Sequence, residues 1–332
     1  DEDEDEDEDE DPNEPNDSDI DEEDDDLDVV GSIDPDKSKT IVIDESVVPM
    51  PELSTQTKLD ADKERELVTG KRPWISKFME NNNYETDDVG GGGDCLFHVI
   101  RHALGTIGKK TSVSKLRAVL AKEADQSLFE TYKHIFDSIK PALADDKKKR
   151  KELTIKNKAL KKELQNTKDR SRQMEIIQEA KELKNMYNRI KQESVATTRM
   201  YNEYKFMEGV TNLAKFKNII KTCDFWGETW AVSTLERVLN IKLILLSKEA
   251  YNHGDLANVV QCGQLNDVIL EQQGSFEPDH YIIANYLGYH YKLITYKARA
   301  IFKFNELPYD LKVKLCDKCM EGESGPYILI PE

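Results

Sequence analysis

A single cysteine directly after a run of glycines is the feature of this chain best suited to chemistry. Residues 90–97 read Gly-Gly-Gly-Gly-Asp-Cys-Leu-Phe. Apolar residues then follow Cys95 at the spacing of a helix with one buried face, namely Leu96, Ile100, Ala103 and Leu104. We therefore predict that Cys95 begins a helix, where unpaired N–H groups and the positive dipole end favour thiolate over thiol.

The glycine run adds hydrogen-bond donors for a substrate carbonyl. Glycine tolerates positive φ and has no side chain, so the backbone amides of residues 91–95 can turn toward a developing oxyanion. Two other interpretations exist: a small buried core residue for Cys95, and a flexible turn for the glycines. A phosphate-binding loop is not supported, because the glycines are not followed by Lys-Ser or Lys-Thr at the required distance.

The net charge of −18 belongs to one end of the chain. Residues 1–28 contain 21 of the 65 acidic residues and no Lys or Arg, so the remainder carries 44 acids against 47 bases, about +3. Such a run repels itself, and we expect residues 1–70 to form a disordered acidic tail and linker. Within it, residues 40–43 are a short β-prone run that we expect to add a strand to another element.

Five scattered cysteines and the lack of an apolar signal segment indicate a reducing, intracellular setting. No apolar run is long enough to cross a membrane, so we expect a soluble protein with no membrane partner. Cys316 and Cys319 have the spacing of a zinc half-site, but no second Cys or His pair lies near them in the sequence. We expect no metal and no cofactor.

The periodicity predicts a mixed α/β (α+β) domain over residues 71–297, followed by a C-terminal appendage over 298–332. We expect a short helix near residues 74–79. A second helix is expected to face inward with Ala231, Leu235, Val238 and Leu239, and a buried strand is expected over residues 241–246. Two further strands, 281–287 and 289–296, are expected to form a hairpin that turns at Gly288.

A basic helical arm interrupts this domain over residues 145–195. Between Lys147 and Lys191 there are 16 Lys or Arg against 6 Asp or Glu. Two antiparallel helices with a turn near residues 166–171 fit the pattern, and one continuous helix is the alternative. A sparse apolar stripe runs along them: Leu153, Leu160, Leu164, Met174, Ile177, Leu183, Met186 and Ile190. A solvated face is favoured over a site for RNA, for the acidic patch of a partner or for the chain's own acidic tail, so nucleic acid is not expected as a partner.

A thiol nucleophile needs a base, and His290 is the best candidate among six histidines. His98 and His102 lie on the helix of Cys95 and are predicted to point away from its start, while His134 and His253 have no patterned context. His280 and His290 both precede a tyrosine near a predicted turn. We favour His290, because it follows Gly288 between two strongly apolar strands that can bring it from far away in the sequence.

Together these passages resemble the ovarian tumour (OTU) family of cysteine proteases, most of which are deubiquitinases. The resemblance rests on Gly-Asp-Cys-Leu-Phe at 93–97, on Trp-Gly at 226–227, and on a late strand with His-Tyr at 290–291. It covers roughly residues 71–296 with the arm as an insertion. It implies a papain-type core, a small sheet flanked by helices. The acidic run, lysine-rich arm and Asn-rich segments also resemble proteins of large DNA viruses, which implies the host cytoplasm.

Two positions depart from the family pattern. The family usually has Asp three residues before the cysteine, where this chain has Gly92, and here Asp94 stands next to Cys95 instead. Many members also have Asp or Asn two residues after the histidine, where this chain has Lys292.

The third catalytic residue is therefore open. Asn285, across the predicted hairpin, can accept the imidazole N–H, as can Asp87 or Asp88 if the segment before the glycines folds back. Asp94 is expected to shape the oxyanion loop rather than to polarise the histidine. Some thiol proteases also work with a Cys-His dyad.

The resemblance implies a deubiquitinase with Cys95 as nucleophile and His290 as acid and base. Its partner would be ubiquitin, polyubiquitin or a ubiquitin-like modifier. One alternative is an inactive OTU-like module that binds ubiquitin, which the replacements at Gly92 and Lys292 favour. Another is a protein that binds nucleic acid or a partner through the basic arm.

Overall fold

The structure is a computed structural model that describes residues 40–48, 50–66, 72–226, 229–261, 269, 272 and 276–320, with backbone alone at 66 and 317–320. The acidic run, Gly227, Cys262, the side chain of Cys319 and the last twelve residues lie outside these ranges. The described chain mixes helices with sheet, as the periodicity predicts. None of its helices has both the length and the apolar character needed to cross a bilayer.

The helices and strands alternate along the described chain. The strands are β1 (Val42–Ile43), β2 (Tyr84–Asp87), β3 (Lys109–Lys110), β4 (Ile241–Ser247), β5 (Val260–Gln261), β6 (His280–Tyr286), β7 (Tyr291–Tyr296) and β8 (Ile301–Phe302). The helices are α1 (Lys58–Glu66), α2 (Trp74–Phe78), α3 (Cys95–Gly105), α4 (Val113–Glu123), α5 (Gln126–Asn166), α6 (Arg170–Tyr204), α7 (Leu213–Ile220), α8 (Thr229–Leu239), α9 (Lys248–Asn252) and α10 (Tyr309–Met320).

A central sheet has the strand order β2-β7-β6-β4-β5, with β8 pairing to the free stretch of β6 beside β7. Only β4 and β6 run parallel among the described pairs; the other neighbours in this sheet are antiparallel. The predicted hairpin is confirmed as β6 and β7, and the predicted strand over 241–246 is confirmed as the fully buried β4.

Alternate residues of the strands build a core on each side of the sheet. Leu243, Ile282 and Leu293 pack with α3, α4, α7 and α8 on the first face. Ile244, Ile283 and Ile294 pack with α2 and α10 on the second face. In α8, Ala231, Leu235 and Leu239 are buried as predicted, whereas Val238 is 37% exposed, so that part of the prediction is wrong. Val238 falls at the edge of the buried face.

Helix α3 is the central helix of the first face. Leu96, Ile100, Ala103 and Leu104 are buried as the spacing predicts, and Phe97 and Val99 are buried as well. The helix is thus covered on most of its circumference rather than along one stripe. Each fully buried Leu, Ile or Phe contributes about 1.5–3 kcal/mol, so α3 is a rigid support for the residue that begins it.

The compact part of the chain begins before residue 71. Strand β1 pairs with β3 just after α3, so the β-prone run does add a strand, and it does so at the end of α3 that is remote from Cys95. Farther along, the Leu53 N–H donates to Glu306 and the Tyr296 hydroxyl donates to Glu64. Residues 50–66 therefore pack on the domain, because they supply partners to buried polar groups.

Residues 298–320 are likewise part of the domain rather than an appendage. Strand β8 extends the sheet, and α10 contributes Leu311 and Leu315 to the second core. Arg299 and Glu306 form an ion pair of 3.2 Å with little exposure. An antiparallel strand beside β6 has no strong sequence signal when it is two residues long.

The arm consists of α5 and α6, with the turn at Thr167–Asp169 inside the predicted range. The helices begin before residue 145 and end after residue 195. Phe129, Tyr132 and Phe136 of α5 belong to the first core, and Tyr201 and Tyr204 of α6 pack against it. Among the predicted stripe residues, Met174, Ile177 and Met186 are exposed, so this part is wrong. Ile176 is buried instead, one position from Ile177 and two from Met174.

We predict that residues 50–66 stabilise the domain. A chain that starts at Arg72 should unfold more easily than one that starts at Met50, by roughly 3 kcal/mol, because it loses apolar contacts of Leu53 and Ala61 and several hydrogen bonds worth about 1 kcal/mol each. Urea unfolding followed by tryptophan fluorescence measures this difference. Equal free energies of unfolding for the two chains would contradict the prediction.

Candidate active site

The glycine loop, residues 90–93, has a shape that only glycine fits well. Gly90, Gly92 and Gly93 have φ of +138°, +68° and +86°. A Cβ on Gly93 would stand 2.3 Å from the carbonyl oxygen of Cys223, and one on Gly90 would stand 2.6 Å from the His98 ring. The loop is therefore pressed against neighbouring backbone and side chain, and is not merely a flexible turn.

Asp94 occupies the N-cap position of α3, but its side chain does not cap the helix. The Asp94 carbonyl accepts the His98 N–H at 2.9 Å, whereas its carboxylate makes no hydrogen bond to the first turn. The carboxylate instead accepts from Nε of Arg117 at 2.6 Å. Asp94 thus shapes the loop through Arg117.

Arg117, on α4, joins the parts of this site. Its guanidinium also donates to the carbonyls of Gly93, Ile220 and Phe225 at 2.9–3.0 Å, and it stacks over the Phe97 ring at 4.3 Å. The Arg117 side chain is only 2% exposed. A buried guanidinium must be paired and hydrogen-bonded, and these acceptors satisfy that requirement.

Because the Asp94 carboxylate is bonded to Arg117, backbone N–H donors remain free at the start of α3. Within the described chain, no hydrogen-bond acceptor is found for the N–H groups of Gly92, Gly93 and Cys95, while the Asp94 N–H donates to the Gly91 carbonyl at 3.3 Å. An ordinary N-cap carboxylate would occupy donors of the first turn and add negative charge there. Here the helix terminus stays open for an anion.

His290 lies beside this loop and is held by Asp88. Its Nε2 is 3.1 Å from Oδ1 of Asp88, and its Cε1 is 3.9 Å from the position a Cβ would take on Gly91. The other ring nitrogen, Nδ1, is thereby left for a proton acceptor or donor on the loop side. A carboxylate on one nitrogen fixes the ring tautomer and orientation.

The strand order explains how Asp88 reaches His290. Strand β2 pairs with β7, and Asp87 stands opposite Leu293. Asp88 is the next residue after β2. It therefore lies next to the beginning of β7, and His290 directly precedes that strand. The segment before the glycines therefore folds back, which was one of the open alternatives for the third residue.

Lys292 competes with His290 for the same carboxylate. Its Nζ is 2.6 Å from Oδ2 of Asp88. The hydrogen bond from Lys292, and next that from His290, hold the pKa of Asp88 below its ordinary value, while burial opposes this effect. Lys292 and His290 thus share one carboxylate, which comes from the segment before the glycine loop.

Asn285 does not fill the third position. It stands opposite Lys292 in the hairpin and is 2% exposed, and its Oδ1 has no hydrogen-bond partner in the described chain. His290 enters the hairpin beside Leu287, whose N–H donates to the His290 carbonyl. The imidazole is bonded to Asp88 rather than to Asn285.

The tryptophan and histidine motifs meet in space. The Trp226 ring stacks on Tyr291 with centroids 5.4 Å apart, and Tyr286 packs against Tyr291 at 5.1 Å. These rings form an aromatic wall immediately after His290. Two passages that are 64 residues apart in the sequence are therefore neighbours at one site.

Cys95 is in place but covered. It begins α3 as predicted, and it is only 1% exposed. No hydrogen bond joins it to His290 in the described chain. A substrate must therefore displace part of the cover before it reaches the thiol.

Of the other histidines, His280 lies far from this site, whereas His98 lies next to the glycine loop. His280 is at the far end of β6, about 20 Å from the hairpin turn at 3.3 Å per residue. The prediction that His98 points away from the start of α3 is wrong, because its ring packs under Gly90. Side chains on a helix tilt toward its N-terminus, which carries a residue at the fourth position back over the first turn. Burial lowers the pKa of His98.

Comparison with protein-family models, with curated proteins and with solved structures finds no match to this chain. What the site does must therefore be inferred from its own geometry.

We predict that Arg117 is essential to the glycine loop. Arg117→Lys should lower the free energy of unfolding by about 3 kcal/mol, because the compact ammonium of lysine cannot donate at once to the Asp94 carboxylate and to all three carbonyls. Asp94→Asn, which keeps the shape, should cost about 1.5 kcal/mol. The matched control is Arg101→Lys on the exposed side of α3, for which we expect less than 0.5 kcal/mol. Urea denaturation of the three variants measures these free energies of unfolding. A loss for Arg117→Lys as small as that for Arg101→Lys would contradict the role of Arg117 in holding the glycine loop.

The lowered pKa of Asp88 predicts a small acid-dependent contribution to stability. A carboxyl whose pKa is lower in the folded state stabilises the protein above its unfolded pKa, and the effect disappears as pH falls through the folded pKa. Asp88→Asn should thus reduce the free energy of unfolding at pH 7 by at most about 1 kcal/mol, given the half-exposed side chain. The difference from wild type should disappear once the pH is low enough to protonate Asp88 in the folded protein, and a difference that persists there would contradict the prediction.

Proposed function

We propose that this chain is a thiol-dependent isopeptidase of the OTU type. It hydrolyses the amide bond between the C-terminal glycine of ubiquitin, or of a ubiquitin-like modifier, and a lysine side chain. The observation that carries the proposal is the Asp88–His290 hydrogen bond beside the glycine loop that leads to Cys95. The OTU-like motifs supply the substrate class, and the geometry supplies the chemistry.

In the first half-reaction Cys95 attacks the glycine carbonyl. The thiol proton passes to His290, the sulfur–carbon bond forms, and the carbonyl oxygen becomes an oxyanion held by N–H groups of the loop and the first turn of α3. His290 then gives the proton to the lysine nitrogen as the carbon–nitrogen bond breaks. The free lysine amine leaves and a thioester remains on Cys95.

In the second half-reaction water replaces the lysine. His290 takes a proton from the water, whose oxygen attacks the thioester carbonyl, and the tetrahedral intermediate releases the Cys95 thiolate. Asp88 keeps the imidazole oriented through both steps and stabilises its charged form. The net reaction consumes one water and yields a glycine carboxylate and a lysine amine.

The covered position of Cys95 agrees with a substrate that has little bulk near the bond to be cleaved. The last two residues of ubiquitin are glycines, and a narrow channel accepts a backbone without side chains while excluding other sequences. The aromatic wall of Trp226, Tyr286 and Tyr291 borders the same site.

A second candidate is a ubiquitin-binding module without catalysis. The 1% exposure of Cys95 and the missing hydrogen bond to His290 favour it. Retention of an oriented histidine beside the loop weighs against it, because binding alone requires no base. Cleavage assays separate the two candidates.

We predict that the chain cleaves isopeptide-linked di-ubiquitin of at least one linkage. Cys95→Ser should abolish cleavage, His290→Gln should lower it by about 10²–10⁴-fold, and Asp88→Ala by on the order of 10²-fold, mainly in kcat. Gel analysis of all linkage types with initial rates gives these values. The matched control is Asp87→Ala, which removes the exposed neighbouring acid and should leave the rate unchanged.

Two results would contradict the catalytic proposal. One is tight ubiquitin binding by the folded wild-type chain without cleavage of any linkage, which would establish the binding module. The other is cleavage that survives Cys95→Ser.

A further inference from the structure

The arm presents a face that the proposed isopeptidase chemistry does not use. Helices α5 and α6 pack along a seam that buries Leu153 and Ile176. On α5, five exposed lysines stand away from this seam at steps of 4, 7, 3 and 1 residues, which keeps them on one side of a helix: Lys147, Lys151, Lys158, Lys161 and Lys162. We call them the lysine face, and at 1.5 Å per residue it is about 22 Å long.

The charge of the lysine face is not compensated. No acidic partner within 4.0 Å is found for any of its five lysines in the part of the chain that the structure describes. Three other cations of the arm do have acidic partners: Arg172 with Glu163, Glu175 and Glu179, Lys149 with Asp145, and Arg189 with Glu193. The neighbouring acids of α5, Glu152 and Glu163, fall on a different side of the helix by their spacing.

We propose that the lysine face binds the phosphate backbone of a nucleic acid without sequence specificity. A straight row of positive charges suits a polymer with regularly repeated phosphates. Lysine supplies charge but lacks the planar, bidentate guanidinium with which arginine recognises base edges, so we expect no sequence specificity. From the sequence alone a solvated face was favoured. The alignment of the lysines and their lack of ion partners are what the structure adds.

A folded protein partner fits this face less well. Protein interfaces depend on buried aromatic, Arg or aliphatic anchors and are depleted in lysine. The lysine face contains neither Arg nor an aromatic side chain, and Ile155 is the exposed apolar residue at its edge. Sequence-independent phosphate binding requires no such anchor.

The test measures binding of the full chain to fluorescent 30-mers by anisotropy. The probes are single-stranded DNA, single-stranded RNA and duplex DNA, each at 50, 100 and 200 mM salt. We expect log affinity to fall with log salt with a slope of about −3.5 for single strands, if all five lysines contact phosphates. The DNA and RNA arms identify the source of the phosphates, and binding of either supports the proposal.

Two variants with the same change in net charge locate the surface. The test variant replaces the five lysines of the lysine face by Gln, and the control replaces five exposed lysines elsewhere by Gln: Lys63, Lys77, Lys122, Lys215 and Lys221. Gln is a good helix former, and circular dichroism checks that both variants remain folded. The test variant should lose at least tenfold in affinity at 100 mM salt and the control less than threefold.

Equal losses in both variants would overturn the proposal, because they would show a general effect of charge. Absence of binding to every probe at 50 mM salt would also overturn it. A third full chain, with the acids of residues 1–28 replaced by their amides, controls for competition by those acids. If only that chain binds, the face is taken by an acidic polypeptide and the proposal is wrong as stated. None of these outcomes depends on isopeptidase activity.

Discussion

The buried guanidinium of Arg117 is the constraint on which the candidate site depends. A charge in a nearly dry environment is tolerated only when acceptors surround it. Here those acceptors are the Asp94 carboxylate and carbonyls from the glycine loop and from residues 220 and 225. Satisfying the arginine therefore fixes two separate segments, residues 93–94 and 220–225, relative to α4. It also removes the Asp94 carboxylate from the first turn of α3, where a negative charge would oppose a thiolate.

The central sheet supplies the second half of the arrangement. Pairing of β2 with β7 brings Asp88 to the entry of the histidine, and pairing of β6 with β7 places His290 at the hairpin end near Gly91. Both the helix that begins at Cys95 and the strands that hold His290 are packed from two sides. Two rigid supports thus carry the proposed nucleophile and the proposed base, and the glycine loop lies between them. Lys292 does not displace His290 from Asp88, because the Asp88 carboxylate contacts both side chains.

Several parts of this picture could be predicted from the sequence because they have local signals. The helix at Cys95, the hairpin with His290 and the turn of the arm follow from periodicity and from glycine positions. Asp88 could be named only as one alternative, since Tyr84–Asp87 contains a single apolar residue, Tyr84, and its pairing with β7 is a long-range contact. The bounds of the domain were missed for the same reason, because residues 50–66 and 298–320 are held by partners that are distant in the sequence.

Arg117 was overlooked although its sequence context contains a signal. It occupies the i+4 position of an apolar stripe in α4 whose other members are Val113, Leu116, Leu120 and Ala121. A lone arginine at such a position faces the core and must have acceptors there. The sequence cannot say which carbonyls accept, since the acceptors come from segments up to 108 residues away.

Reaction of the folded protein with ubiquitin that carries an electrophile at its C-terminus tests the central claim most directly, with intact mass as the readout. The account predicts addition of one ubiquitin to wild type, with Cys95 as the modified residue and no adduct in Cys95→Ala. The exposed Cys223 near the loop serves as an internal control and should remain unmodified. Absence of an adduct, or an adduct on Cys223, would contradict the assignment of Cys95 as the nucleophile of this site.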